Sequence, residues 1–154
     1  MRPETKVVLD EVDKRIIEQL QQDGRRPYTQ IAPAVGLSEA AVRQRVQRLI
    51  DSGVMQIVGV TDPKMVGFGR QAMIGLSVEG DTRMVADALA ELDEVVYVVL
   101  TAGSLDLLVE VVVVDDEHLV ELLNNKIRSI DGVRDTETFM YLRIHKETYA
   151  WGAP

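Results

Sequence analysis

The sequence contains no cysteine among its 154 residues. This absence excludes disulfide bonds and thiolate chemistry, and it favours a cytoplasmic protein that folds without covalent cross-links. The length is sufficient for one ordinary domain or two small ones.

Long hydrophobic runs are also missing. The most apolar stretch, residues 105–114, is interrupted by Asp106 and Glu110, whereas a helix that crosses a bilayer needs about 20 apolar residues. The first 13 residues contain no apolar run longer than residues 7–9, so we expect no signal peptide and no membrane partner.

The sequence also lacks an excess of positive charge, since its net charge is −8. The charges are unevenly distributed, however. Residues 1–60 hold nine Lys and Arg against eight Asp and Glu, whereas residues 61–154 hold eight against seventeen. The second part would be a poor surface for DNA, but the first part concentrates its cations locally and leaves nucleic-acid binding open.

Apolar residues recur with helical spacing in the first third of the chain. They predict helices over residues 8–22, over residues 29–35 with Thr29 as N-cap, and over residues 39–52 with Ser38 as N-cap. The second and third helices are joined by the tight turn Val35-Gly36-Leu37-Ser38. Two helices joined in this way are typical of a helix-turn-helix that inserts its second helix into the DNA major groove.

The third helix carries different residues on its two faces. Val42, Val46 and Leu49 are predicted to face inward. Arginine can pair with guanine and glutamine with adenine, so the candidates for base contacts are Ser38, Glu39, Arg43 and Gln44. The candidates for phosphate contacts are Arg25, Arg26, Arg45, Gln47 and Arg48, with packing inside the protein as the alternative for Arg45. The competing interpretation is a solvated, charged helix in a three-helix unit.

After residue 53 the apolar pattern changes to that of strands. We predict a strand over residues 54–61 within a linker, residues 54–70, and then an order β-α-β-β-α-β over residues 71–154. The predicted strands are 71–79, 95–101, 105–114 and 133–146, and the predicted helices are 80–92 and 115–130. The fold class is therefore α+β, with a helix-turn-helix domain at residues 1–53 followed by a ferredoxin-like domain over residues 71–154.

A turn between two of these strands has the groups that an amino acid would need. Backbone N–H groups at Ala102, Gly103 and Ser104 can meet a carboxylate, and Asp106 can accept from an ammonium group. Hydroxyl groups that could reach the same region are those of Thr101, Ser104, Thr136 and Thr138. The alternative is a plain hairpin in which Gly103 has positive φ and Asp106 bonds nearby backbone.

Nearly the whole chain resembles the leucine-responsive regulatory protein/AsnC (feast–famine) family. The resemblance rests on these patterns of the sequence: Leu9-Asp10-x-x-Asp13, Ile16-Ile17-x-x-Leu20, Asp23-Gly24-Arg25, Ile31-Ala32-x-x-Val35-Gly36-Leu37-Ser38, Val42-x-x-Arg45-Val46-x-x-Leu49, Gly53-Val54, Asp62, Gly67 and Thr101-x-Gly103-x-x-Asp106. The sequence departs from the family at Pro33, where a helix former is usual, and at Ser104-Leu105, where an acidic-aromatic pair is commoner.

The resemblance implies a transcription regulator that pairs a helix-turn-helix with a ferredoxin-like effector domain. It also implies that the effector binds at the turn containing Gly103, between subunits. Because the strand over residues 105–114 is apolar on both faces, we expect one face to be covered by a second copy of the chain. The expected partners are double-stranded DNA, a small-molecule effector, and further copies in a homodimer that assembles to a tetramer or octamer.

Two other functions compete with this one. Siroheme decarboxylases resemble the same architecture, but two histidines far apart in sequence and an acidic second half disfavour an enzyme that holds a tetrapyrrole. An oligomeric metabolite-binding module without DNA function is disfavoured by Arg43, Gln44 and Arg48. We expect no enzyme activity and no cofactor beyond the effector.

Two weaker motifs are set aside. The pattern Gly67-x-Gly69-x-x-Ala72 precedes a strand rather than a helix, so a dinucleotide site is not expected. His118 and Glu121 could share a metal, but an acidic start to a helix explains this segment better. No metal is therefore expected.

Overall fold

The computed structural model describes residues 7–154 and divides the chain into two compact units. The helical unit extends to Val60 and also includes Lys146–Pro154, and the α/β unit is Thr61–His145. The predicted division placed the C-terminal tail with the sheet. It belongs to the helical unit because Ala153 packs against the helical core and the amide of Gly152 donates to Gln21 Oε1 at 2.9 Å.

Residues 1–6 lie outside the described residues. They include two of the cations counted in the first part of the chain, Arg2 and Lys6, and the start of the predicted first domain.

Three helices form the helical unit, as predicted: α1 is Glu11–Gln22, α2 is Tyr28–Val35 and α3 is Glu39–Asp51. Each helix buries aliphatic side chains in one shared core, which comprises Ile16, Ile17, Leu20, Ile31, Ala32, Val35, Val42, Val46 and Leu49. The burial of this common apolar face holds three short helices together, since helices of this length are marginal alone.

The start of α2 differs from its prediction. Thr29 is not the N-cap, because the helix begins at Tyr28 and Pro27 occupies the cap position without a side-chain hydrogen bond. The carbonyl of Pro27 accepts from the amides of Gln30 and Ile31, at 2.9 and 3.2 Å. Proline presets the φ angle before a helix, which is −61° here, so a side-chain cap is not required.

The strand predicted over residues 54–61 is wrong. Residues 55–62 form neither helix nor strand, although Ile57, Val58 and Val60 are 44%, 68% and 61% exposed. β-Branched residues favour a strand only where a neighbouring strand supplies hydrogen bonds and packing. No strand of the described chain pairs with this segment.

The α/β unit contains one four-stranded sheet. Its strands are β1, Arg70–Val78; β2, Val95–Leu100; β3, Leu107–Val113; and β4, Val133–Met140. They lie in the order β2-β3-β1-β4, and every neighbouring pair is antiparallel. This order confirms the predicted ferredoxin-like fold.

The last strand is shorter than the predicted residues 133–146. Its ladder ends where the amide of Tyr141 donates to the carbonyl of Gln71 at 3.0 Å. Because β1 begins at Arg70, little of it remains beyond Gln71 for the chain to pair with.

Two helices cover one face of the sheet. They are α4, Thr82–Ala90, and α5, Asp116–Glu121, which continues as a wide π-helical turn over Leu122–Ile127. The predicted helix over residues 115–130 is therefore interrupted, and the amide of Arg128 donates five residues back, to the carbonyl of Leu123. The main residues of this core are Ile74, Leu76, Val85, Leu89, Leu107, Val109, Val111, Leu122 and Ile127.

The opposite face of the sheet, which we call the open face, has no helix in this unit against it. Met73 pairs with Glu110 and with Phe139, and Tyr97 also pairs with Glu110. Paired residues of antiparallel strands point to the same side, so these side chains share the open face. Tyr97 and Phe139 are 52% and 46% exposed.

Among residues 7–154, no helix is both long enough and apolar enough to cross a membrane.

Gly69 is a position where the fold has no room for a side chain. A Cβ added there would lie 2.5 Å from the carbonyl oxygen of Val114, to which the Gly69 amide donates at 2.9 Å. We predict that Gly69→Ala lowers the free energy of unfolding by about 1–3 kcal/mol, since backbone must move to relieve the overlap. Gly59→Ala is the control, because nothing lies within 4 Å of its added Cβ. Equal midpoints in urea denaturation of the two variants would contradict the prediction.

Candidate nucleic-acid interface and ligand-binding turn

The turn before α3 fixes where that helix begins. Gly36 ends α2 with φ at 75°, in the left-handed region that favours glycine. Two residues later, Ser38 Oγ accepts from the amide of Ala41 at 3.2 Å, which confirms Ser38 as the N-cap. The first turn of α3 is thereby presented with its side chains exposed.

The predicted division of α3 into two faces is present. Val42, Val46 and Leu49 are buried in the helical core, with at most 1% of their surface exposed. The exposed residues of α3 and its N-cap are Ser38, Glu39, Ala40, Arg43, Gln44, Gln47, Arg48 and Asp51. Arg43, Gln44, Gln47 and Arg48 line one open, shallow depression of about 810 Å³.

The exposed side chains of this surface are paired with one another only loosely. Arg43 contacts Glu39 at 2.7 Å, and their side chains are 65% and 46% exposed. The Arg43 guanidinium also lies 5.3 Å from the centre of the Tyr28 ring, and Gln47 donates to Asp51 at 2.8 Å. Exposed pairs of this kind contribute about 0–1 kcal/mol, so these groups can exchange them for a base or a phosphate.

A buried carboxylate on α1 holds two arginines of α3. Asp13 is 1% exposed, and its two oxygens bind Arg45 at 2.8 Å and Arg48 at 2.5 Å. Asp10 binds Arg45 as well, at 2.7 Å. The hydrogen bond from Arg45 lowers the pKa of the Asp10 carboxyl, and Asp10 in turn raises the pKa of Arg45. Two carboxylates and two guanidiniums thus form a charge-balanced group, the Asp13 network.

The Asp13 network also organises the start of α1. The amide of Asp13 donates to Asp10 at 2.8 Å, and the amide of Asp10 donates to Asp13 at 3.3 Å. This reciprocal arrangement is a capping box. The pattern Asp10-x-x-Asp13 in the sequence is compatible with this capping box, but it does not indicate that either carboxylate binds an arginine.

The structure gives different roles to Arg45 and Arg48, which were both predicted to contact phosphates. Arg45 is 28% exposed and binds both carboxylates, so its internal alternative is the one that the structure favours. Arg48 is 51% exposed and lines the depression while it binds Asp13. Arg48 therefore remains available to a ligand on its exposed side.

Arg25 and Arg26 lie between α1 and α2, away from the lining of the depression. The amide of Arg25 donates to Asp23 at 2.9 Å, and the Arg26 guanidinium donates to Gln19 Oε1. The structure therefore does not bring these two arginines together with the outer surface of α3.

The predicted ligand-binding turn connects β2 to β3. The amide of Thr101 donates to the carbonyl of Asp106 at 2.9 Å, and the Thr101 hydroxyl donates to the carbonyl of Leu105. Ala102, Gly103 and Ser104 are exposed at its tip. The expectation of a positive φ at Gly103 is wrong, since positive φ occurs at other glycines of the described chain. The turn closes without a left-handed residue at its tip.

Asp106 fixes this turn to the neighbouring strand β1. Its amide donates to the carbonyl of Leu76, and its Oδ2 accepts from the amide of Val78, both at 2.8 Å. This bond to backbone is the one that the plain-hairpin alternative expects. It engages one of the two carboxylate oxygens.

Two predicted ligand residues lie elsewhere. Thr136 and Thr138 are on β4, where they pair with the core residues Leu76 and Ile74. Their side chains therefore point toward the helices, and Thr136 Oγ1 accepts from Arg128 Nε at 3.0 Å. Within one chain the structure does not bring them to the turn, because β3 and β1 lie between β2 and β4.

Family models match both units. An AsnC-type helix-turn-helix domain matches residues 9–50, and an Lrp/AsnC ligand binding domain matches residues 71–151. Together the two models span most of the chain.

Curated relatives match nearly end to end. The HTH-type transcriptional regulator FL11 of Pyrococcus furiosus is 37% identical over 143 residues, which cover 92% of this chain and 94% of that protein. The HTH-type transcriptional regulator LrpA of Pyrococcus horikoshii is 34% identical over 128 residues, 82% of this chain and 91% of that one.

Solved structures of the same kind superimpose well. E. coli AsnC has a TM-score of 0.81 at 26% identity, with 92% of this chain and 97% of that one covered. A transcriptional regulator of Neisseria meningitidis in complex with L-Met has a TM-score of 0.83 at 25% identity, with 93% and 96% covered.

The Asp13 network generates a test of stability. We predict that Asp13→Asn lowers the free energy of unfolding by about 2 kcal/mol. This is less than the ~3–5 kcal/mol for a fully buried pair, because the arginines can reach water. Glu11→Gln, in the same turn of α1, removes a carboxylate that is 85% exposed and should change stability by less than about 1 kcal/mol. Chemical denaturation followed by circular dichroism compares them, and equal losses would rule out a special role for Asp13.

Proposed function

The chain belongs to the Lrp/AsnC family of DNA-binding transcription regulators, and from that premise we propose that α3 reads a specific duplex sequence while the turn at residues 101–106 responds to an amino acid. The family carries a DNA-binding helix-turn-helix and a ligand-binding domain. Its members among the relatives are transcription regulators rather than enzymes, so the decarboxylase alternative is dropped.

One observation carries the DNA-reading proposal. A single helix buries an aliphatic stripe and exposes guanidinium and amide groups in one depression. In helix-turn-helix proteins the early residues of the second helix reach base edges. Ser38, Glu39, Arg43 and Gln44 occupy that position, and Arg43 and Gln44 have the donors that recognise guanine and adenine.

Phosphate contacts would come from the edge of the same surface. Gln47 and Arg48 follow the base-reading residues along α3 and are exposed. Asp13 holds one side of the Arg48 guanidinium. This contact restricts the rotation of the group and so limits the directions in which its remaining N–H groups can point. A preoriented guanidinium loses less conformational entropy when it binds a phosphate.

The amino-acid proposal rests on the turn and on one relative. Exposed backbone at Ala102, Gly103 and Ser104 can donate to a carboxylate, and Asp106 supplies negative charge for an ammonium group. The Neisseria relative was solved with L-Met, which favours the same chemical class for this chain. Thr136 and Thr138 could take part only through another copy of the chain.

Self-association would complete the regulator. The open face exposes Tyr97 and Phe139, and the extended segment before the sheet exposes Ile57, Val58 and Val60. Apolar surface of this extent favours burial against a second copy. A two-fold dimer would present two α3 helices to the half-sites of a pseudo-palindromic operator, and further assembly would give a tetramer or octamer.

The base-reading role of Arg43 can be tested by selection from a random duplex pool. We predict that Arg43→Ala relaxes selectivity at one base pair of each half-site, because one good base contact is worth about 1–3 kcal/mol. Arg83→Ala is the matched control, since it removes an exposed arginine from α4. Affinity measured over a salt series separates the base contact from a phosphate contact. An unchanged selected sequence would remove Arg43 from the reading surface.

The effector role of Asp106 can be tested by thermal shift with the twenty amino acids. A ligand that binds the folded state raises the melting temperature by mass action. We predict that Asp106→Asn abolishes this rise while the protein stays folded, because the amide oxygen can still accept from the amide of Val78. Asp131→Asn, in an exposed turn, should respond as the unchanged protein does. An undiminished rise in Asp106→Asn would mean that Asp106 serves only the hairpin.

A further inference from the structure

A second cavity lies in the α/β unit at the end of β2 that is remote from the turn. It has a volume of about 490 Å³, which is within the range of small-molecule sites. Glu94 lines it and immediately precedes β2, whereas Thr101 immediately follows that strand. A six-residue strand spans about 20 Å, so this cavity is distinct from the turn at residues 101–106.

The cavity contains a buried carboxylate with one oxygen unused. Glu94 is 9% exposed. Its Oε1 is 3.1 Å from His118 Nε2 and 2.5 Å from Lys126 Nζ, but its Oε2 is buried without a hydrogen-bond partner. A buried acceptor that has no hydrogen-bond partner costs about 1–3 kcal/mol of stability, and more when it is charged. Oε2 has less than 1 Å² of accessible surface, so a donor from outside the chain satisfies it once the Glu94 carboxylate turns toward the cavity that it lines.

The partners of Oε1 are fixed by the surrounding backbone. His118 Nδ1 accepts from the amide of Val114 at 3.5 Å, which leaves the imidazole proton on Nε2 to be donated to Glu94. The amide of His118 donates to Asp115 at 2.9 Å and so holds the start of α5. Lys126 comes from the π-helical turn that follows. Both donors contact Oε1, and Oε2 has no partner.

Glu94 is charged at neutral pH. Burial would raise the pKa of its carboxyl, but the hydrogen bonds from Lys126 and His118 outweigh burial and hold the pKa at about 2. The unused Oε2 is consequently an acceptor only, and it carries negative charge. An ammonium group is the donor that satisfies both properties.

The other lining residues indicate what the ligand carries besides its ammonium group. Asp93 adds a second carboxylate, which would repel the carboxylate of a zwitterion. The cavity is otherwise largely aliphatic and aromatic, with walls formed by Pro63, Val66, Phe68, Val96 and Val112. Over residues 7–154, no group of three or more His, Asp or Glu side chains could hold a metal ion, so an organic cation fits better than an inorganic one.

We propose that this cavity binds a small aliphatic primary ammonium ion, with its N–H groups on Glu94 Oε2 and its hydrocarbon part against Phe68 and Val96. The regulator thus has a cation site besides the amino-acid turn. The two sites differ because the turn also offers backbone donors for a carboxylate, whereas the cavity is lined by a second carboxylate, Asp93.

Three compounds with one hydrocarbon part test the proposal. They are 3-methylbutylamine, 3-methylbutanol and leucine, which share the 3-methylbutyl skeleton and carry an ammonium group, a neutral hydroxyl group, or an ammonium and a carboxylate group. Calorimetric titration of the full chain at neutral pH should show saturable binding of the amine, at least about tenfold weaker binding of the alcohol, and no displacement of the amine by leucine. Absence of amine binding, equal binding of the alcohol, or displacement by leucine at similar concentration would each overturn the proposal.

Variants locate the binding. Glu94→Gln should weaken amine binding at least about tenfold, since it removes the charge and retains the shape. Glu91→Gln, which removes an exposed carboxylate at the end of α4, should leave it unchanged. Undiminished binding to Glu94→Gln would refute the assignment.

A second variant decides the matter if Glu94→Gln fails to fold. Val96 is 58% exposed and lines the cavity, so Val96→Trp should fill it without disturbing Glu94. Val120→Trp is the control, because Val120 is 50% exposed on α5 and does not line the cavity. Binding should be lost in the first and kept in the second, and retention in both would exclude this cavity.

Discussion

Asp13 is buried on α1, and its carboxylate holds Arg45 and Arg48 of α3. The positions of the exposed side chains of α3 depend on this contact in two ways. It fixes the rotation of α3 about its axis from the polar edge, while Val42, Val46 and Leu49 fix it from the apolar side. It also offsets the positive charge of two arginines that lie three residues apart on one helix. A helix that must place side chains against base edges needs this precision, because a small rotation misaligns a bidentate contact.

The α/β unit places chemistry at both ends of the same pair of strands. At one end of β2 and β3, the turn is tied to β1 through Asp106. At the other end, the amide of Val112 donates to the carbonyl of Glu94 at 2.9 Å, which secures the entry to β2. Leu107, Val109 and Val111 of β3 form the buried connection between the two ends. The sheet therefore separates the turn at residues 101–106 from the cavity at Glu94 by a fully packed element.

The sequence was sufficient for features that depend on local signals. The Ser38 cap, the inward stripe of α3 and the element order after residue 70 follow from capping chemistry and apolar period. It was insufficient where the partner is distant along the chain. Arg48 lies 35 residues from Asp13, and Lys126 lies 32 residues from Glu94, so no spacing rule links them. Thr136 and Thr138 were likewise misplaced at the turn, because the sequence does not show that β3 and β1 lie between β2 and β4. The segment 54–61 has the composition of a strand but no neighbour within the described chain, which composition cannot reveal.

The charge distribution explains why the proposed DNA contacts are confined to a small surface of α3. The second part of the chain carries seventeen acidic against eight basic residues, and a field of that sign repels a duplex at long range. Attraction must then come from a few guanidiniums in close contact, where counterion release and direct pairing outweigh the distant repulsion. A single α3 offers few such contacts, and phosphate affinity rises with their number. The proposed pairing of two copies would double the contacts and would bury the exposed Tyr97 and Phe139, so one dimerisation step would serve both the affinity for DNA and the stability of the sheet.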